Sequence, residues 1–69
     1  MFKIGDVVRI KKEWLEPHED PNTDYIVMED YGDGKTKVWV KSEISAFGGY
    51  YYVWSSDVFY KIGHIDLKK

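Results

Sequence analysis

The 69-residue chain contains no cysteine. That absence removes a disulfide framework, a thiolate nucleophile and any cysteine-ligated zinc or iron–sulfur centre. There are only two prolines, Pro17 and Pro21, and a single arginine, Arg9. No apolar run approaches the ~18 residues that cross a bilayer as a helix. No basic start is followed by the apolar stretch that marks a secretory leader. The expectation is a cytoplasmic protein with no membrane partner. No heptad, internal repeat or amphipathic stretch of helical length occurs either, which leaves short strands and turns as the building units.

Aromatic side chains, by contrast, are plentiful. Three tryptophans, six tyrosines and three phenylalanines make up 17% of the residues, and the hydrophobic share of 43% is that of an ordinary folding chain. The length fits one small domain spanning residues 1–69. A domain of this size buries only ~60% of its unfolded surface, and its core supplies ~3–5 kcal/mol. Each ring can bury ~150–250 Å², so the rings compensate for the small core, and the default place for any one of them is inside.

Glycine and turn residues divide the chain into five strand-like pieces. Phe2 to Lys12 carries Val7, Val8 and Ile10 after Gly5–Asp6; with Val8 and Ile10 inward, Arg9 and Lys11 face water. Glu13 to Thr23 holds both prolines and four acids and reads as a long loop. Asp24 to Tyr31 is a second strand, and Gly32–Asp33–Gly34 supplies a tight hairpin. Lys35 to Ile44 then alternates cleanly. Thr36, Val38, Val40, Ser42 and Ile44 are expected inward, with Lys35, Lys37, Trp39, Lys41 and Glu43 on the other face. Gly48–Gly49 precedes an aromatic fourth strand, Tyr50 to Ser55, and Ser55–Ser56–Asp57 opens a single helical turn through Val58 and Phe59. A last strand covers Tyr60 to Ile65, followed by a frayed Lys68–Lys69 tail. The expected fold is all-β, a partly open five-stranded barrel, because a flat sheet of this size leaves two exposed edges.

The opening GDVVRI, the loop after it, the Gly-Asp-Gly hairpin, the aromatic fourth strand and the closing SSDVFYKI resemble the Src-homology-3-like small barrels. The resemblance covers nearly the whole chain and implies that the long first loop and the rings beside it form a peptide groove. A chain of this length is also expected of a small bacterial or phage-type protein.

Charge is distributed unevenly. Residues 1–12 carry +3, residues 13–33 carry −8 with no lysine or arginine, and residues 34–69 carry +3, for a net charge of −2. The acidic rim and the lysine-bearing wall are expected to point in different directions. Two candidate surfaces follow. The first is a protein- or peptide-binding site for basic segments at Trp14, Glu16, Glu19, Asp20, Trp54 and Tyr60; its alternative is a solvated acidic loop that keeps the chain soluble. The second is Lys35, Lys37, Trp39 and Lys41, where a ring flanked by ammonium groups at strand spacing suits stacking on a single-stranded base. Its alternative is a tryptophan covering the neighbouring strand, with lysine stems packed on the ring. The lone arginine and net negative charge argue against general nucleic-acid affinity. A third reading makes the chain a structural subunit whose exposed rings are buried in an oligomer or larger assembly.

Enzyme chemistry and cofactors are not expected. His18, Glu19, Asp20 and Asp24 match no calcium-loop or zinc-site spacing. Ser45, Ser55 and Ser56 lack the glycine context of a nucleophile elbow. The acid pairs Glu19–Asp20 and Glu29–Asp30 would need a dry pocket to separate their pKa values, and a barrel this small offers little volume for one.

Overall fold

A computed structural model describes residues 2–44 and 47–67; Ser45 and the Lys68–Lys69 tail lie outside the described residues. Among the described residues five antiparallel strands form one sheet: β1 (Asp6–Ile10), β2 (Tyr25–Asp30), β3 (Lys35–Lys41), β4 (Gly49–Ser55) and β5 (Phe59–His64). Single 3-10 turns follow β1 at Lys12–Trp14 and precede β5 at Ser56–Val58. The second of these is the helical turn expected after the fourth strand, displaced by one residue. The spatial order is β4-β3-β2-β1-β5, so β4 and β5 are the two edges. The sheet is not closed: among the described residues no ladder joins β4 to β5.

Alternation explains the core. Val8, Val27, Val38 and Thr36 are fully buried on β1, β2 and β3, and Ile10, Tyr25 and Phe59 complete the interior. Strand residues between them face the other side, as the two-residue period requires. The two edge strands contribute to the same cluster. Trp54 of β4 lies 5.8 Å from Phe59 of β5 between ring centroids, and Tyr25 packs against both, at 5.7 and 6.1 Å. The sheet therefore coils around its aromatic interior. Breaks of register between Val7 and Val8 on the β1–β5 ladder, and between Val27 and Glu29 on the β2–β3 ladder, supply local bending. Thr36 is buried without penalty because its hydroxyl meets that of Ser56 at 2.6 Å.

The third strand is shorter than its sequence suggests. β3 stops at Lys41, and the chain turns at Ser42, whose N–H donates to the Gly48 carbonyl and whose hydroxyl accepts the Ile44 N–H at 3.1 Å. Ser42 is buried as expected, but Ile44 is 93% exposed rather than inward. The hairpin before β3 is as expected: Gly32 and Gly34 both have positive φ, at 77° and 90°.

Candidate binding groove

The loop between β1 and β2 is held in a defined shape by its own polar groups. The Glu19 N–H donates to the Glu16 carbonyl at 3.0 Å, and the Glu19 carboxylate accepts the Glu16 N–H at 2.8 Å. The Asp20 carboxylate accepts the Asn22 N–H at 2.9 Å, which tightens the descent toward β2. Two anchors fasten the loop to the sheet. Leu15 packs against the core. Arg9, pointing away from the core as expected, donates to Asp24 at 2.7 Å, and this contact holds its guanidinium even further above the usual arginine pKa.

Two hollows meet at Ile10, Glu16 and Glu19. The first, of about 210 Å³, is walled by Trp14 and Trp54 and floored by Ile10 and Val58. The second, of about 480 Å³, runs on past Leu15 and Pro21 to Tyr60, with Lys12 on its border. Together they form one groove between the acidic loop and the edge of the sheet. Trp14, Glu16, Glu19, Trp54 and Tyr60, separated along the chain, therefore line a common surface. Asp20 does not. It turns to a different hollow, of about 670 Å³, shared with Asp24, Lys41 and Glu43.

Some groups that line the groove or support its Trp54 wall carried no sequence signal. Tyr52 stacks on Trp54 with ring centroids 4.8 Å apart and planes within 6° of parallel, fixing the orientation of the indole. Burial, then the nearby Glu19 carboxylate and Tyr52, push the Tyr25 hydroxyl pKa up, so it stays protonated beneath the groove. Val58 contributes an apolar floor because the 3-10 turn returns it beside Ile10, and the Val58 carbonyl accepts the Lys11 N–H at 2.7 Å.

The lysine-bearing wall is arranged differently. Lys37 places its ammonium 4.9 Å from the centre of the Tyr51 ring, on the adjacent strand. Trp39 is half-buried, and its ring lies across Gly49 of β4, where a side chain of any size would collide with the indole. Lys35 is exposed beside the hairpin, whereas Lys41, sharing its hollow with Asp20, Asp24 and Glu43, brings the opposite charges together. The opposite charges therefore meet at Lys41 and again at Lys37, which pairs across the β2–β3 ladder with Glu29, and this corrects the fully two-sided layout read from the sequence.

A second polar cluster lies at the other end of β1. The Asp6 carboxylate, almost wholly buried, accepts the Lys3 N–H at 2.9 Å, contacts His64 Nδ1 at 2.8 Å and lies 3.4 Å from the Lys61 ammonium. Burial alone would raise the Asp6 pKa, but these donors outweigh it and the net shift is downward. Among the described residues, no three potential His, Asp or Glu ligands are grouped to hold a metal ion. Compared with protein families, curated proteins and solved structures, the chain matches none.

Proposed function

We propose that the chain is a non-enzymatic binding module that takes a basic segment of a protein or peptide into the groove beneath its acidic loop. We read its coiled sheet as a partly open barrel of the Src-homology-3-like kind. One observation carries the functional reading: Trp14, Glu16 and Glu19 from the loop and Trp54 from β4 converge on one hollow. Indole faces attract ammonium and guanidinium groups, by ~0.5–1 kcal/mol at exposed sites. Neighbouring carboxylates add a long-range pull that salt weakens. The apolar floor at Ile10 and Val58 suits the aliphatic stem of a lysine or arginine. Less supports a single-strand nucleic-acid contact at Lys35, Lys37, Trp39 and Lys41, because the Trp39 ring is laid against Gly49 and Lys41 shares its hollow with carboxylates.

Titration with lysine- or arginine-bearing peptides, followed by amide chemical shifts, tests the proposal. Shifts are expected at Trp14–Glu19 and Trp54, with affinity falling as salt rises. Trp14→Ala and Glu16→Gln are each expected to weaken binding about fivefold, or ~1 kcal/mol, with little change in melting temperature. Trp14 is 56% exposed, so its truncation spares the core. Shifts confined to Lys37–Trp39, or none at all, would overturn the reading.

A further inference from the structure

The two edges of the sheet are not alike. On β5, Lys61 and His64 interrupt the strand with polar groups, and its ladder with β1 is broken between Val7 and Val8. Charge and irregularity of this kind protect an edge from unwanted pairing. β4 has neither. Its seven residues, Gly49–Ser55, contain no charged residue and no proline, and every one pairs with β3 in unbroken register, from Lys35↔Ser55 to Lys41↔Gly49. Tyr50, Tyr51, Tyr52 and Val53 are all substantially exposed, Tyr51 at 58% and Val53 at 48%. An edge strand offers alternate N–H and C=O groups outward with nothing to receive them.

We propose that β4 pairs with β4 of a second copy of this chain, antiparallel about a two-fold axis through Tyr52, to make a continuous ten-stranded sheet. Strand composition selects this occupant. Full overlap of Gly49–Ser55 with itself centres on Tyr52 and sets Tyr51 opposite Val53 and Tyr50 opposite Trp54. These are aromatic–β-branched and aromatic–aromatic pairs, which stabilise a ladder by ~0.2–1 kcal/mol each. The pairing is self-complementary, as an isologous contact must be. The lysines of β3 do not forbid it. Each lies one strand in from the edge, so its backbone stands about three strand spacings, ~14 Å, from the β3 backbone of the second copy. That exceeds the ~8 Å screening length at physiological salt. Residual repulsion makes this association strengthen as salt rises, opposite to a basic peptide in the groove.

Light scattering over a concentration series up to about 1 mM is the test, with folding of each variant checked by tryptophan fluorescence. A dimer is expected that gains affinity with salt, loses at least tenfold on Val53→Lys, and is unchanged by Ile62→Lys on the opposite edge. Oxidation provides a reading independent of the lysine variant: Tyr52→Cys, which faces itself across the axis, is expected to cross-link, whereas Tyr50→Cys is not. A monomer throughout, equal sensitivity to both lysine variants, or cross-linking at Tyr50→Cys but not at Tyr52→Cys overturns the proposal.

Discussion

Asp6 shows how one residue can link acid sensitivity to the fold. Its donors hold the folded-state pKa below the ordinary carboxylate value, despite burial that works the other way. Asp30 is shifted in the same direction by the N–H groups of Gly32 and Phe2, at 3.0 and 2.8 Å. A carboxylate whose pKa is depressed by folding stabilises the native state above its unfolded pKa of ~3.9 and loses that contribution as pH falls through the folded value. Urea midpoints are therefore expected to hold from pH 7 to about pH 5 and to drop steeply below pH 4. The gap between the native chain and Asp6→Asn should narrow over the same acid range; a gap that widened would contradict the assignment. None of this was legible in the sequence, because Asp6 and His64 are 58 positions apart and only the β1–β5 ladder brings them together. The Trp14–Glu16–Glu19 side of the groove was legible, since those residues share one acidic loop. The support that Tyr52 gives its Trp54 wall was not, because three consecutive tyrosines give no indication of which one stacks on Trp54.

Strands reveal themselves when one face is dry and the other wet, and β1 and β3 do so: Val8, Ile10, Thr36 and Val38 fall inward at two-residue spacing. The same pattern carried on through Ser42 and Ile44 into residues that leave the sheet, because period alone does not register a side chain capping its own turn. In the Ser42 turn, the hydroxyl takes the Ile44 N–H and the strand ends early. β4 hides its orientation for a related reason, being apolar on both faces. Its first residue nevertheless decides how β3 is covered. Gly49 lies diagonally across from Trp39, and an added Cβ would strike the indole. Gly49→Ala is expected to cost ~1–3 kcal/mol as the ring is forced outward. A red-shifted, more quenchable tryptophan emission would accompany the lower urea midpoint. Unchanged emission and stability would mean that the Trp39 ring does not rest on the glycine. The same substitution should leave peptide affinity at the groove unaltered, since Gly49 lies outside it.

At the scale of the whole molecule, one sheet serves two ends. Its aromatic interior is shared by both edge strands through Trp54 and Phe59, while the acidic loop is fastened across the top by Leu15 and by Arg9. The coarse architecture (five strands, a long loop, a helical turn before the last strand) followed from turn residues and alternation. The mingling of Lys41 with Asp20 and Asp24 did not follow, because regional charge sums ignore where a loop folds back. At the opposite end, the Gly5 N–H donates to Val27 and its carbonyl accepts the Ile65 N–H at 2.7 Å, so the first and last strands leave the sheet side by side. The backbone is thus nearly a ring. Joining residues 2 and 67 through a glycine–serine tether, and opening the chain instead at Asp33 on the exposed hairpin tip, would create a circular permutant that retains every strand pairing and the packing of Phe2 on Phe59. Cooperative unfolding of that permutant, with the native tryptophan spectrum, is the expected result. For a cell or an engineer, the same geometry makes this sheet a cassette: it can be spliced into a surface turn of an unrelated host without its two junctions having to reach across the fold.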